Sequence, residues 1–427
     1  MKINQITLKN FKGFKEFTIP FDPQFNLIIG DNGSGKSAIL EALTIAMGSF
    51  FLGIKDTDSR NIKDSDIRLV SYENSEEPQF PVEIITNGTV NGKNIEWTRH
   101  RLSSEGSTRA DKAKAIKLIA EQLDKSVRGG ELVTMPVLAY YSTGRLWRDL
   151  VERKTKGEPN RVIASRFRAY KSCLQSTSTF KIFVKWYKGK ELSSMQKKEE
   201  DISLRIIKEL IISNLPNCKN IFYEFDEDKI QGIKIVDING YILPFEYLSD
   251  GTRNLFALLA DIAYKCLVLN PHLKEKVLEK SIGIVLIDEL DLHLHPEWQK
   301  QIIVSLKKSF PGIQFITSSH SPFLIQETGI DQLIVLKNNE VSKITSGVNL
   351  SIEDIAEDLQ EVINPQWSKL RQEMFDVAKE YYKAVKEGRD TPRMKEELDK
   401  AMKPFVLDTA FYSIIEEERL IRDSPKK

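Results

Sequence analysis

Apolar and polar side chains alternate along MKINQITLKNF, which predicts a strand over residues 2–8. EFTIPF (16–21) and FNLIIG (25–30) predict two more, with Asp22-Pro23 turning the chain between them. FNLIIG runs into a glycine-rich loop and then the helical segment SAILEALTIAMG. PVEIIT (81–86) and NIEWTRHR (94–101) read as a hairpin across Asn91-Gly92, a pair that tolerates positive φ. To that point the pattern is a mixed β lobe.

Residues 110–125 carry Ile116, Ile119 and Leu123 at helical spacing, with charges between them. PVLAYY (136–141) predicts a strand, 145–215 is polar, basic and mostly helical, 232–245 is hairpin-like, and 251–269 is a largely apolar helix. IGIVLIDE, a helix after Pro296, and IQFITSS then set up a strand–helix–strand rhythm that implies buried parallel strands. From about 350 onward the pattern is helical and highly charged. There Leu370, Met374, Ala378 and Tyr381 recur at helical spacing, followed by Phe405, Leu407, Phe411 and Ile414. Such a stripe must bury against the protein's own head, a second copy or a partner. No internal repeat and no heptad run of coiled-coil length is present.

A length of 427 residues suits two or three domains, or one large domain with an insertion. An apolar share of 41% excludes a disordered chain. Lysine plus arginine total 62 against 61 acids, so no global nucleic-acid signature exists, though a local basic patch can. Arg145 to Lys171 holds nine basic residues against three acids, with Trp147, Phe167 and Tyr170 interleaved. That run suits a nucleic-acid surface, where cations meet phosphates and rings meet bases, and equally suits a solvated helical face. Cys173, Cys218 and Cys266 form no CxxC pair, which argues against a disulfide framework or a zinc site and fits a reducing compartment. The first residues lack the apolar core of a signal peptide, and even FALLADIAYKCLVL carries Asp261 and Lys265. The expectation is a soluble cytoplasmic protein with no membrane partner.

Three segments carry chemistry. Gly30-Asp31-Asn32-Gly33-Ser34-Gly35-Lys36-Ser37 matches G-x-x-x-x-G-K-[ST] and sits between a strand and a helix, as that motif requires. Its glycines let backbone N–H groups wrap phosphates at a positive helix N-terminus. Lys36 would neutralise the β and γ phosphates, and the Ser37 hydroxyl would bind Mg²⁺. Ile284-Val285-Leu286-Ile287-Asp288-Glu289 is a buried strand with two acids at its C-terminal edge, the edge where open α/β sheets bind ligands. Asp288 would hold Mg²⁺ and Glu289 would polarise the attacking water. Leu248-Ser249-Asp250-Gly251-Thr252-Arg253-Asn254 opens a helix, where a hydroxyl, a glycine backbone and a helix N-terminus can form an anion site or simply an N-cap. His293 and His295 alternate with leucines, but further metal ligands are lacking.

The order P-loop, LS-x-G, apolar-DE and then the lone His320 of ITSSHSP resembles an ABC-type ATPase head. The resemblance implies an α/β fold in which a mixed β lobe joins a parallel RecA-like sheet, with a helical insertion and a helical C-terminal region. It implies ATP and Mg²⁺ as cofactors and a head-to-head dimer in which Ser249 and Gly251 cap the γ-phosphate bound to the other subunit. His320 would touch that phosphate or the attacking water. Asp250 stands where the family has a second glycine and is expected to point away from the phosphate. Leu8-Lys9-Asn10-Phe11-Lys12-Gly13-Phe14 resembles the opening of SMC- and RecF-like heads, which would lay Lys12 against the nucleotide. The family's glutamine between P-loop and signature is missing; Tyr141-Ser142-Thr143-Gly144-Arg145 occupies that place.

PVLAYYSTGRLW, YLSDGTRNLFALLADIAYKCLVLNPHL, IDELDLHLHPEWQ and NPQW…YYKAVKEGRD narrow the resemblance to the ATPase subunits of Septu-type and retron-associated antiphage systems. That implies a multimer of head-to-head dimers, an HNH-type nuclease subunit as partner, and control of the nuclease by nucleotide occupancy. Alternatives are a RecF/SMC-like DNA-repair or recombination ATPase, a transporter ATPase, which the long insertion opposes, and an OLD-like nuclease, opposed by the lack of a D-x-D pair in residues 330–427. The expected organisation is an ATPase lobe with the P-loop (1–108), a mainly helical basic insertion (109–230), a second ATPase lobe with signature, Walker B and His320 (231–349), and a helical region for assembly or partner binding (350–427).

Overall fold

The alternation at the N-terminus becomes a one-sided strand, with Ile3, Ile6, Leu8 and Phe11 buried, Asn4 exposed and the other residues between them half-buried. The computed structural model describes residues 1–144, 165–175, 180–337, 339–342, 350–360, 362 and 365–405. They fall into two compact units, Met1–Leu350 and Ser351–Lys427.

The first unit begins with β1 (Lys2–Phe11), β2 (Phe14–Pro20), β3 (Phe25–Gly30), α1 (Lys36–Phe51), β4 (Leu69–Tyr72), β5 (Ser75–Pro78), β6 (Val82–Val90) and β7 (Lys93–Arg101). It continues through α2 (Lys114–Arg128), β8 (Val137–Tyr141), α3 (Phe180–Lys197), α4 (Ile202–Asn214), β9 (Cys218–Glu224), β10 (Gly232–Asp237) and β11 (Ile242–Pro244). It ends with α5 (Asp250–Leu269), α6 (Val277–Lys280), β12 (Gly283–Ile287), α7 (Pro296–Ser309), β13 (Ile313–Ser318), α8 (Pro322–Gln326), β14 (Leu333–Lys337) and β15 (Glu340–Ser342).

One antiparallel sheet has the order β2-β1-β6-β7, and its β6–β7 turn places Asn91 at φ 48° and Gly92 at φ 76°, as the hairpin reading expects. The main sheet has the order β15-β14-β3-β13-β12-β8, in which all neighbours are parallel except the β15 edge. β12, β13 and β8 are buried at every position, which is why β12 and β8 read as unbroken apolar runs rather than alternations. Gln314, one of three buried polar residues in β13, exchanges hydrogen bonds of 2.8 and 2.7 Å with the Ile3 backbone and so fastens the two sheets together. Trp97 of β7 donates to the Ala46 carbonyl of α1 at 3.0 Å, closing the lobe over the P-loop helix. This is the mixed β lobe joined to a parallel sheet that the sequence pattern leads one to expect.

The stretch 109–230, expected as mainly helical, also contributes β8 to the edge of the main sheet and β9 to a small antiparallel sheet of order β11-β10-β9. β9 escapes the sequence pattern because Lys219 and Asn220 interrupt its apolar positions. Of the basic run, 145–164 lies outside the described residues. Within the described part, Phe167 and Tyr170 are buried, and the Tyr170 hydroxyl donates to the Pro136 carbonyl at 2.7 Å, so these two rings are core rather than a stacking platform. Cys173, Cys218 and Cys266 are buried free thiols. No helix among the described residues is long and apolar enough to cross a membrane.

The second unit contains α9 (Ile352–Asp354), α10 (Lys369–Lys386) and α11 (Pro392–Met402). The expected stripe is buried within the unit: Met374, Ala378 and Tyr381 of α10 form a core with Leu398 and Met402 of α11, and Phe405 packs on it. Leu370 is exposed instead, while Leu407, Phe411 and Ile414 lie outside the described residues.

Candidate functional site

Parallel strands bring β3, β12 and β13 to a common C-terminal edge, and each delivers one motif there. β3 leads into residues 30–37. Gly35 caps α1 at φ 96°, and a Cβ there would stand 2.4 Å from the Phe14 ring, so only glycine lets the loop turn this tightly into the helix. Lys36 is buried and donates to the carbonyls of Gly30 (2.8 Å) and Asp31 (2.9 Å). Burial pushes its ammonium below its ordinary pKa, while the carboxylates of Asp288, Asp31, Glu289 and Asp291 pull the other way. Asp31, Asn32, Gly33 and Ser37 are exposed, Ser37 in the first turn of α1. Ser34 Oγ is buried with no hydrogen-bond partner among the described residues.

Asp288 follows β12 and is buried. Its amide donates to the Tyr141 carbonyl at 2.8 Å. Its Oδ1 accepts the Ser318 hydroxyl at 2.5 Å, and the same hydroxyl accepts the Glu289 amide at 2.9 Å. Glu289 sits half-buried at φ 50°, a left-handed conformation that costs a non-glycine residue on the order of 1 kcal/mol and clusters at functional sites. After β13, the Ser319 hydroxyl donates to Asp291 at 2.5 Å and accepts the Ser321 amide at 2.8 Å, and the Ser321 hydroxyl donates to Gln299 at 2.5 Å. His320 is exposed in the middle of this serine lacework. ITSSHSP singles out His320 alone and gives little sign of the hydroxyls around it, Ser318 above all. Their only sequence signal is three serines within four residues at the end of a buried strand.

The signature segment forms its own mouth. Ser249 caps α5, accepting the Thr252 amide at 3.3 Å, so the N-cap reading holds whatever else this serine does. Asp250 is engaged by Arg253 one turn along its own helix. A Cβ on Gly251 would come within 2.3 Å of the His293 carbonyl oxygen, and Asn254 donates to the Leu292 carbonyl at 2.8 Å. The start of α5 is thereby fastened to the segment that follows Glu289. Ser249, Gly251, His293, His295 and Trp298 line an open groove of about 560 Å³, and no residue of 30–37 lines it. His295 caps α7, and no cluster of three or more metal-ligating side chains occurs among the described residues.

Lys12, at φ 47°, is joined to Glu41 of α1, which also takes Arg60 at 3.1 Å; Asp66 lies 3.8 Å from the Lys12 ammonium. The structure thus commits Lys12 to the P-loop helix rather than leaving it exposed in a turn. Ser142, in the place of the missing glutamine, is buried, while Arg145 lies outside the described residues.

A nucleoside triphosphate with Mg²⁺ fits this donor set. Ser34 Oγ is a buried polar atom short of a partner, Lys36 is a buried cation at the loop, and Ser37 and Asp288 are a hydroxyl and a carboxylate. Mg²⁺ bound through phosphates needs only one or two such protein oxygens.

A family model described as an AAA domain matches residues 5–219, and a second AAA-domain model matches residues 150–326. The chain is 26% identical over 453 residues to "Retron Vc95 probable ATPase" of Vibrio cholerae serotype O1 biovar El Tor, covering 94% of this chain and 86% of that protein. It is 26% identical over 344 residues to "Septu protein PtuA" of Bacillus thuringiensis, covering 79% of this chain and 76% of that protein. Among solved structures, an SMC head bound to the C-winged helix domain of ScpA aligns at a TM-score of 0.49 and 19% identity, covering 81% of this chain and 98% of that one.

Proposed function

The chain belongs to the AAA-domain family and is an ATPase, and from that premise we propose that it hydrolyses ATP at composite sites shared between two head-to-head copies. The observation that carries this reading is the separation of the two half-sites: the groove at Ser249 and Gly251 contains no P-loop residue among its lining. A signature mouth built apart from its own phosphate loop suits a nucleotide held by another chain.

In this reading residues 30–37 wrap the phosphates, and the Lys36 ammonium turns from the loop carbonyls to the β and γ phosphates. Ser37 and Asp288 would hold Mg²⁺, which neutralises developing phosphate charge when bound. Glu289 orients and polarises the attacking water, with its backbone held by Ser318. His320, exposed beyond the serines, meets the γ-phosphate or that water. Lys12, held through Glu41 on α1, flanks the nucleotide. Ser249 and Gly251 cap the γ-phosphate of the second copy with a helix N-terminus.

By its likeness to the retron and Septu proteins, the chain serves a bacterial antiphage system as the ATPase subunit controlling an HNH-type nuclease, in a multimer of such dimers. The region after 350 holds that partner or builds the multimer.

A mixing experiment tests the composite site. Lys36→Ala and Ser249→Arg homodimers should each be inactive. In the mixed dimer both lesions fall on one site, so hydrolysis recovers to about half of wild type if the sites act independently. Normal hydrolysis by Ser249→Arg alone would reduce the segment to a helix cap and refute the shared site.

A further inference from the structure

Asp261 and Lys265 stand one turn apart in the middle of α5, each side chain 2% exposed, and they are joined as an ion pair. Such a pair carries a desolvation cost, and well-packed apolar residues would often stabilise the helix as much or more. Its partner explains its place. The Tyr141 hydroxyl donates to Asp261 Oδ2 at 2.7 Å, and Lys265 Nζ lies 5.7 Å from the Tyr141 ring. Burial, with Asp261 adding to it, pushes the Tyr141 phenol well above its ordinary range, so it remains the donor. The main chain of the same residue has the other attachment: Tyr141 lies opposite Ile287 in the sheet, and its carbonyl accepts the Asp288 amide at 2.8 Å. One residue therefore grips the signature helix with its side chain and the Walker B aspartate with its backbone.

Asp261 lies about 18 Å along the helix axis from Ser249, at roughly 1.5 Å per residue. A packed helix of that length moves as a rod. We propose that Tyr141, clamped by the Asp261–Lys265 pair, is a positioning residue that couples the two nucleotide sites of a dimer, passing a shift of α5 at the partner's nucleotide to Asp288 of its own chain. This rests on the composite-site reading. A directional hydrogen bond sets the register between helix and strand, whereas apolar packing alone would let them slide.

ATP hydrolysis is measured against ATP concentration for wild type, Tyr141→Phe, and the apolar triple variant Tyr141→Phe/Asp261→Leu/Lys265→Met, with thermal melting alongside. Wild type should be positively cooperative. Tyr141→Phe should lose cooperativity and about tenfold in kcat, within the usual range of coupling between sites, with KM changed less than about twofold. The triple variant should melt near wild type, because apolar replacement of a buried pair is often neutral, and should still be uncoupled. A merely structural role would move the melting temperature and leave cooperativity intact. The coupling is overturned if wild type is non-cooperative, or if either folded variant keeps wild-type kcat and cooperativity. Light scattering on Glu289→Gln separates the two claims: no ATP-dependent dimer sinks the composite-site reading, whereas a trapped dimer beside an unaltered Tyr141→Phe sinks the coupling alone.

Discussion

Ser318→Ala probes the most compact piece of the site. The Ser318 hydroxyl is fully buried and makes two bonds, donating to Asp288 Oδ1 at 2.5 Å and accepting the Glu289 amide at 2.9 Å. A bond to a carboxylate contributes about 1.5–3 kcal/mol and one to an amide about 1 kcal/mol, so removing both costs roughly 3 kcal/mol. For a unit of this size about 2 °C is lost per kcal/mol, which sets the expected fall in Tm at roughly 6 °C. The catalytic effect follows from which groups lose their anchor. Asp288 and Glu289 are proposed to hold the metal and the water, and Glu289 already sits in a left-handed conformation at φ 50°. If about half of the lost energy is expressed in the transition state, kcat falls on the order of tenfold. ATP affinity, governed by the P-loop, should change little. Steady-state phosphate release gives kcat and KM, and calorimetry gives Tm and ATP affinity. A variant with Tm within about 1 °C and kcat within about twofold of wild type would refute the bridge, since no folded protein can lose both bonds at a buried atom without a measurable cost.

Glu289→Gln should bind ATP as wild type does but turn over at least about 10²-fold more slowly, the scale of general-base loss, and accumulate ATP-bound dimers in gel filtration; unchanged turnover would shift the role to His320. Gly251→Ala should push the start of α5 off the His293 carbonyl, 2.3 Å from the added methyl, at a cost of about 1–3 kcal/mol. Its ATP-dependent dimer should weaken while ATP binding to the monomer persists, and an undiminished dimer would contradict the close approach. The thiols offer a check on packing: burial pushes Cys173 and Cys266 up to about 12 and raises Cys218, so the native protein should resist a thiol reagent at pH 8, and all three should react in denaturant. Rapid labelling of the native chain would show that the core around α5 is open.

Much of the head was readable from local pattern. VLAYY and GIVLI are continuous apolar runs, and FNLIIG is broken only by Asn26, because both faces of the main sheet are covered, and each was legible as a strand. Asn91-Gly92 announced its hairpin because two successive residues at positive φ suit few other pairs. The stripe of Met374, Ala378 and Tyr381 was visible as periodicity, but its partner was not, since Leu398 and Met402 lie on a different helix and only chain reversal brings them together. β9 stayed hidden because Lys219 and Asn220 break its pattern, and its pairing is decided by β10 rather than by itself.

The candidate site divides along the same line. Sequence by itself determined the residues whose role is a property of a short segment: the glycines and Lys36 of the loop, the acids ending β12, the cap at Ser249. Each of these depends on backbone freedom, a helix N-terminus or a strand end, and all three are local. What only the tertiary structure decided are the contacts between segments far apart in the chain. Ser318 lies 30 residues from Asp288, Tyr141 lies 120 from Asp261, and Gly251 reaches His293 across the fold. No periodicity records such distances, because a hydroxyl or a glycine obeys local rules whether or not a carboxylate or a carbonyl stands opposite. Parallel strand order sets those meetings, placing β3, β13, β12 and β8 side by side although the chain visits them as β3, β8, β12 and β13.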